Sequence, residues 1–61
     1  MKKTDLTAHV TQTDGHWYER RVYTDGIRSH IKVNGEYHDL YDLEKYSHIA
    51  SVETFYNPVG R

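Results

Sequence analysis

Hydrophobic and polar residues alternate along two stretches of the chain, the pattern of strands that bury one face. In the first stretch Leu6, Ala8 and Val10 alternate with threonine and histidine. The second and cleaner stretch alternates one set, Ile27, Ser29, Ile31 and Val33, with another, Arg28, His30 and Lys32. Between them lies HWYERRVY, rich in the aromatic and β-branched residues that strands favour. The pattern therefore predicts three successive strands.

Three turn signals separate these strands from one another and from a fourth. Thr13-Asp14-Gly15 and Thr24-Asp25-Gly26 flank the aromatic stretch, and Asn34-Gly35 follows the third strand. Asn-Gly favours a two-residue type I′ turn, because both turn positions need a positive φ. We therefore expect a fourth strand at about 36–39, paired back onto the third.

The hydrophobic period changes after this predicted hairpin. Leu40 and Leu43 recur at helical spacing, and Asp39 is a suitable N-cap, so the sequence predicts a short helix over about Leu40–Ser47. IASVETFY then predicts a last strand, ended by Asn57-Pro58 because proline cannot donate to a ladder. The predicted fold is a single α+β domain over residues 1–61: a small antiparallel β-meander of four strands followed by a short helix and a last strand.

The two identical Thr-Asp-Gly tripeptides raise a problem of register. Two-residue and three-residue loops differ by one position in strand pairing, and a shift of one residue exchanges the faces of a strand. If both turns had the same type, the apolar sets of the first and third strands would lie on opposite faces. We therefore expect the two tripeptides to fold differently, or one strand to carry a bulge.

Two registers of the second strand remain consistent with a single core. The first buries Trp17 and Tyr23, and the second buries Tyr18 and Val22. Trp17 is the largest apolar side chain in a chain poor in aliphatic residues, so the area it could bury favours the first register.

The polar face of the third strand is independent of that choice. The Asn-Gly turn pairs Val33 with Glu36, Lys32 with Tyr37 and His30 with Asp39. The first register predicts a row His9–Arg20–His30–Asp39 across this face, whereas the second replaces its first two members with Thr7 and Arg21. The candidate binding residues are therefore Arg20, Arg21, Arg28, His30, Lys32, Tyr37 and Asp39.

Charge and composition narrow the classes of function. The net charge is −1, with +2 in residues 1–33 and −3 in residues 34–61, so a polyanion meets no overall attraction. The chain has no cysteine, which excludes disulfides and thiolate ligands, and no apolar run follows its first lysines as in a signal peptide. These features favour a cytoplasmic location.

Nothing in the sequence has the spacing of a metal site or a catalytic group. The five histidines show no zinc-ligand motif, and 61 residues leave little chain for a water-excluding cleft. We therefore expect no enzyme, no cofactor and no metal.

Six tyrosines, one tryptophan and several arginines are residue types enriched in protein interfaces. We expect a small non-enzymatic binding module that binds a protein partner or a second copy, without a membrane. Its size and composition are those of small inhibitors or adaptors of phage or mobile-element type, by analogy only. The alternative is a nucleic-acid-binding module that uses the basic and aromatic face around Arg28, His30 and Lys32.

Overall fold

The computed structural model describes residues 1–58, which form one five-stranded antiparallel sheet and one short helix. The strands are β1 (Lys2–Gln12), β2 (Trp17–Thr24), β3 (Ser29–Val33), β4 (Glu36–Asp39) and β5 (Ile49–Tyr56), and the helix α1 (Leu40–Leu43) lies between β4 and β5. Their order across the sheet is β4-β3-β2-β1-β5. The prediction of a small, mostly antiparallel sheet with one short helix is therefore confirmed. The four-stranded meander followed by a last strand matches only roughly, because β5 joins the same sheet beside β1.

The core lies on the face of the sheet that α1 covers, called here the inner face. Its buried residues come from four strands and the helix: Ala8, Val10, Val22, Ile31, Leu43 and Ile49. Leu6, Tyr18, Val33, Leu40 and Val52 pack against them while remaining partly exposed. A single turn of helix covers only part of a five-stranded sheet, so the core is small and the opposite, outer face has no covering element within residues 1–58.

The two Thr-Asp-Gly tripeptides fold differently, as the register argument required. At the first turn the Gln12 amide donates to the His16 carbonyl at 2.7 Å, which closes a three-residue loop over residues 13–15. Gly15 has a φ of 94°, a conformation that glycine adopts without steric cost.

At the second turn the Asp25 amide donates to the Arg28 carbonyl at 3.3 Å, which leaves a two-residue loop of Gly26 and Ile27. The Asp25 carboxylate accepts hydrogen bonds from the backbone amides of Ile27 and Arg28 at 2.9 and 2.8 Å. A bulge between Lys3 and Thr7 adjusts the register of β1 against β2.

Two residues expected in the core are instead on the surface. Ile27 belongs to the second turn and is 91% exposed, because β3 begins only at Ser29. Trp17 is 61% exposed, whereas Val22 is fully buried and Tyr18 is half-buried. The preference for burying Trp17 and Tyr23 was therefore wrong, and the alternative that places Tyr18 and Val22 on the inner face of β2 is correct.

The position of Trp17 gives the physical reason. It is the first residue of β2, where it pairs with Thr11 near the end of the sheet. Its ring stacks on the His9 ring of the outer face with centroids 4.9 Å apart. The space beneath α1 is filled instead by β-branched side chains from the middles of the strands, which pack well on a pleated surface.

The helix starts as predicted and is shorter than predicted. Asp39 is the N-cap, and its Oδ1 accepts a hydrogen bond from the Tyr41 amide at 2.8 Å. After Leu43 the amides of Lys45 and Tyr46 bond to carbonyls three residues back, so the chain tightens and the α-helix ends. Leu43 already reaches the core at that point.

Candidate binding face

The outer face carries most of the residues singled out from the sequence. In the β3–β4 hairpin, His30 pairs with Asp39 and Lys32 with Tyr37, as the Asn-Gly turn predicted. Asn34 and Gly35 have positive φ values of 52° and 83°, which the type I′ turn needs.

In the row that contains His30, the second strand contributes Tyr23 rather than an arginine. Tyr23 pairs with His30 on one side and with Lys3 on the other. The predicted arginine–histidine–aspartate row is therefore wrong, and the row across the sheet is Lys3–Tyr23–His30–Asp39.

Asp39 is the centre of the charged cluster on this face. Its Oδ2 accepts a hydrogen bond from Arg28 Nη1 at 3.0 Å, while its Oδ1 caps α1. His30 Nε2 is 3.9 Å from Oδ2, too far for a hydrogen bond. The Arg28 guanidinium lowers the pKa of Asp39 below its usual value of 3.8, and Asp39 in turn raises the pKa of Arg28.

The second turn explains why Arg28 reaches Asp39. The Arg28 amide is held by Asp25, and the Arg28 carbonyl accepts from the Thr24 hydroxyl at 3.0 Å. With its backbone fixed at both ends, the side chain of Arg28 extends over the start of β3 towards the end of β4. This ion pair connects the second turn to the first residue before the helix.

The charge on Asp39 gives a test in the acid range. Because its folded-state pKa is lowered, the stabilisation is complete above pH 3.8 and is lost as the pH falls through the lower folded-state pKa. Asp39→Asn is therefore expected to lower the urea midpoint at pH 7 and to reduce its decline below pH 4. Asp14 and Asp25, whose pKa values are also lowered, leave a residual decline. An unchanged acid slope in this variant, measured by fluorescence-detected urea titration, would contradict the assignment.

Next to the charged cluster lies a pair of tyrosines. Tyr23 and Tyr37 meet edge to face with ring centroids 5.4 Å apart, and Lys32 Nζ lies 5.5 Å from the Tyr37 centroid. Such ring contacts hold flat side chains at the surface in one orientation. Tyr37 is 41% exposed, so much of its ring is available to a partner.

The two arginines of β2 do not join this cluster as free cations. Arg20 lies on the inner-face side of β2, where its guanidinium is 4.9 Å from the Tyr18 ring centroid. Arg21 is on the outer face, but its Nη1 donates to the carbonyls of Asn57 and Leu6. Arg20 is therefore removed from the candidate face, and Arg21 serves to tie the end of β5 to the sheet.

A second aromatic cluster on the outer face was missed from the sequence. Trp17 stacks on His9, and His9 Nδ1 lies 2.9 Å from Glu19 Oε2. Glu53 pairs with His9 from the other side, on β5. The sequence contained a signal for this cluster, because Trp17 and Glu19 are two residues apart and therefore lie on the same face of a strand. That this face also carries His9 follows only once the register of the second strand is known.

One shallow depression adjoins the charged cluster. Its volume is ≈ 520 Å³, and it is lined by Arg28, Ser29, Asp39, Leu40 and Tyr41. The polar groups at its floor, Arg28 and Asp39, are already bonded to each other. The depression therefore does not present unpaired polar groups that converge on a ligand.

Neither metal coordination nor similarity to other proteins identifies the face further. Among residues 1–58, no three His, Asp or Glu side chains converge as metal ligands. No family model, curated protein or solved structure matches the chain. In the same part of the chain, no helix is both long and apolar enough to cross a membrane.

Proposed function

We propose that the chain is a small non-enzymatic protein-binding module that uses the outer face of its sheet. The observation that carries this proposal is the character of the face: exposed rings stand among charges that are already paired with each other. Trp17 and Tyr37 offer apolar area at low cost in side-chain entropy, since each ring is held by a neighbour. Rigid aromatic side chains of this kind are typical anchors of protein interfaces.

The pairing of charges favours a protein over a nucleic acid as the partner. Arg28 is bonded to Asp39, and Arg21 is bonded to two carbonyls, so each is already engaged within the chain. Glu19 and Glu53 add negative charge to the same face. Phosphate binding depends on cations that can replace counterions, and this face has few of them to spare.

The arrangement of His30 supports a role without catalysis. Its Nδ1 is buried with no hydrogen-bond partner in the described part of the chain, and its Nε2 is beyond hydrogen-bond distance of Asp39. A general base needs a group that orients it and a substrate proton within reach. Among residues 1–58, His30 has no side chain within hydrogen-bond distance that would orient it in this way.

Binding to a partner is expected to depend on Tyr37 and not on a tyrosine elsewhere. Tyr37→Ala should weaken capture of a partner from source-cell lysate by about tenfold or more, because a truncated anchor leaves a poorly filled contact. Tyr46→Ala is the matched control, because Tyr46 is 45% exposed and lies after α1. Quantitative mass spectrometry of proteins retained by the immobilised variants makes the measurement. Equal retention by the two variants would contradict the proposal.

Two further measurements distinguish this proposal from the nucleic-acid alternative. Nuclease treatment of the lysate should leave the captured protein unchanged, and a labelled oligonucleotide should show no binding at about 150 mM salt. Submicromolar oligonucleotide binding that disappears in a variant carrying both Arg28→Glu and Lys32→Glu would establish the alternative instead.

A further inference from the structure

The outer edge of β5 has a set of backbone groups that point away from the sheet. The Asn57 amide donates to the Asp5 carbonyl at 2.8 Å, which shows that odd-numbered residues of this ladder face β1. The Gln12 amide bonds to His16, which shows in turn that even-numbered residues of β1 face β2. In an antiparallel strand the two sets alternate. The N–H and C=O groups of Val52, Thr54 and Tyr56 therefore point outwards.

The middle of this edge has few of the features with which proteins usually protect a free strand. Charged side chains, above all lysine, and proline and bulges are the common devices, and the segment 51–56, SVETFY, contains only the charge of Glu53. The bulge of β5 lies at its start, where Thr11 pairs with Ser51 but Gln12 pairs with Ile49. The opposite edge of the sheet, β4, has only four residues. Within residues 1–58, β5 is thus the longer and less protected edge.

We propose that a second copy of this chain pairs with this edge, β5 against β5 in antiparallel orientation, with Thr54 at the two-fold axis. In this register Thr54 lies opposite its own counterpart, and Val52 lies opposite Tyr56 of the second copy. All three outward-facing residues then exchange hydrogen bonds across the axis. The ladder ends at Pro58, which has no amide hydrogen to donate.

The side chains favour a second copy in this register over the neighbouring registers. Thr–Thr and aromatic–β-branched pairs are favourable cross-strand neighbours. A two-fold axis at Glu53 would place two carboxylates directly opposite each other, which is destabilising. An axis at Val52 would bring the bulge at Ala50 into the ladder, and an axis at Phe55 would place Val52 opposite Pro58.

The exposed side chain of Tyr56 is consistent with the proposed β5–β5 pairing. Tyr56 is 70% exposed although it lies on the same side of the sheet as the core. A perpendicular two-fold axis keeps the inner faces of both copies on one side, so Tyr56 would be covered by Val52 of the second copy. The result is a continuous ten-stranded sheet that leaves the rings of Trp17 and Tyr37 uncovered, so it is independent of the protein-binding proposal.

A single introduced cysteine tests the register, because the natural chain has none. Hydrogen-bonded antiparallel partners have Cα atoms about 5.5 Å apart, within the range that a disulfide spans. Thr54→Cys is therefore expected to form a disulfide-linked dimer under mild oxidation. Ser51→Cys is the matched control on the same strand, since the two copies of Ser51 would be about 20 Å apart. Equal cross-linking of both variants would overturn the register.

Sedimentation equilibrium of the full chain tests the dimer itself. We expect the natural chain to be dimeric at about 100 µM, and Thr54→Pro to weaken association by about tenfold or more. Because the Thr54 amide faces outwards, proline there removes no bond to β1. Thr54→Lys is a second variant that places like charges at the axis if proline prevents folding. A monomeric natural chain, or a dimer unaffected by Thr54→Lys, would refute the proposal.

Discussion

Replacing Ile31 with alanine is expected to lower the free energy of unfolding by about 2–5 kcal/mol. Ile31 is fully buried in β3 and is one of the three largest side chains of the core with no exposed surface. It pairs with Val22 on one side and His38 on the other, so its neighbours cannot easily move to fill the cavity. Urea denaturation followed by circular dichroism measures the loss.

Ile27→Ala is the matched control, because it makes the same chemical change four residues earlier. Ile27 is in the second turn, and its side chain makes little contact with the domain, so the expected change is within about 0.5 kcal/mol. Equal losses for Ile27 and Ile31 would mean that the turn, and with it the start of β3, is placed wrongly.

A carboxylate in place of Val22 is expected to unfold the domain. Val22 is fully buried on the inner face of β2, and an unpaired charge in such a site costs several kcal/mol. A chain of 61 residues has a total stability of roughly 3–9 kcal/mol at the usual value per residue. The penalty of Val22→Asp is thus comparable with the whole stability, and we expect a collapsed amide spectrum in two-dimensional NMR.

Trp17→Asp provides the comparison, and it tests the register of β2 at the same time. Trp17 is largely exposed, so its replacement should leave a folded chain with dispersed amide resonances despite the loss of a large ring. If Trp17→Asp unfolded the chain and Val22→Asp did not, β2 would present its other face to the core.

Local chemistry accounts for the parts of the fold that the sequence predicted well. The Asn34-Gly35 turn determines the β3–β4 register by itself, because few residue pairs tolerate two positive φ values. Asp39 caps α1 through a bond to a residue two positions away. Each of these features depends on neighbours in sequence, which a pattern of residue types can describe.

The register of β2 depends instead on contacts between distant segments. Thr-Asp-Gly has the same composition at both turns, and in each the aspartate carboxylate accepts a hydrogen bond from the backbone amide two residues later. The loops nevertheless differ in length: the Gln12 amide closes a three-residue loop, and the Asp25 amide closes a two-residue loop. The size of Trp17 argued for burial, but the core is set by how little of the sheet a single helical turn can cover. Volume was therefore a poor guide to which face of β2 is inside.

The candidate site was likewise predictable where it depends on local sequence and not where it depends on the register of β2. Five of its members follow from the period of β3 and the Asn-Gly pairing: Arg28, His30, Lys32, Tyr37 and Asp39. Arg20 was assigned to this face through the wrong register. The hydrogen bonds from Arg21 to the carbonyls of Leu6 and Asn57 connect residues 15 and 36 positions apart, so no local sequence pattern predicts them.

The position of β1 between β2 and β5 has a consequence for the order of folding. The hairpins from β1 to β4 close over short loops, whereas β5 reaches β1 by joining Leu6 to Tyr56 across most of the chain. Closing the longer loop costs more entropy, and such distant pairings form late. We therefore expect the four-stranded meander to pair before β5 joins it during folding.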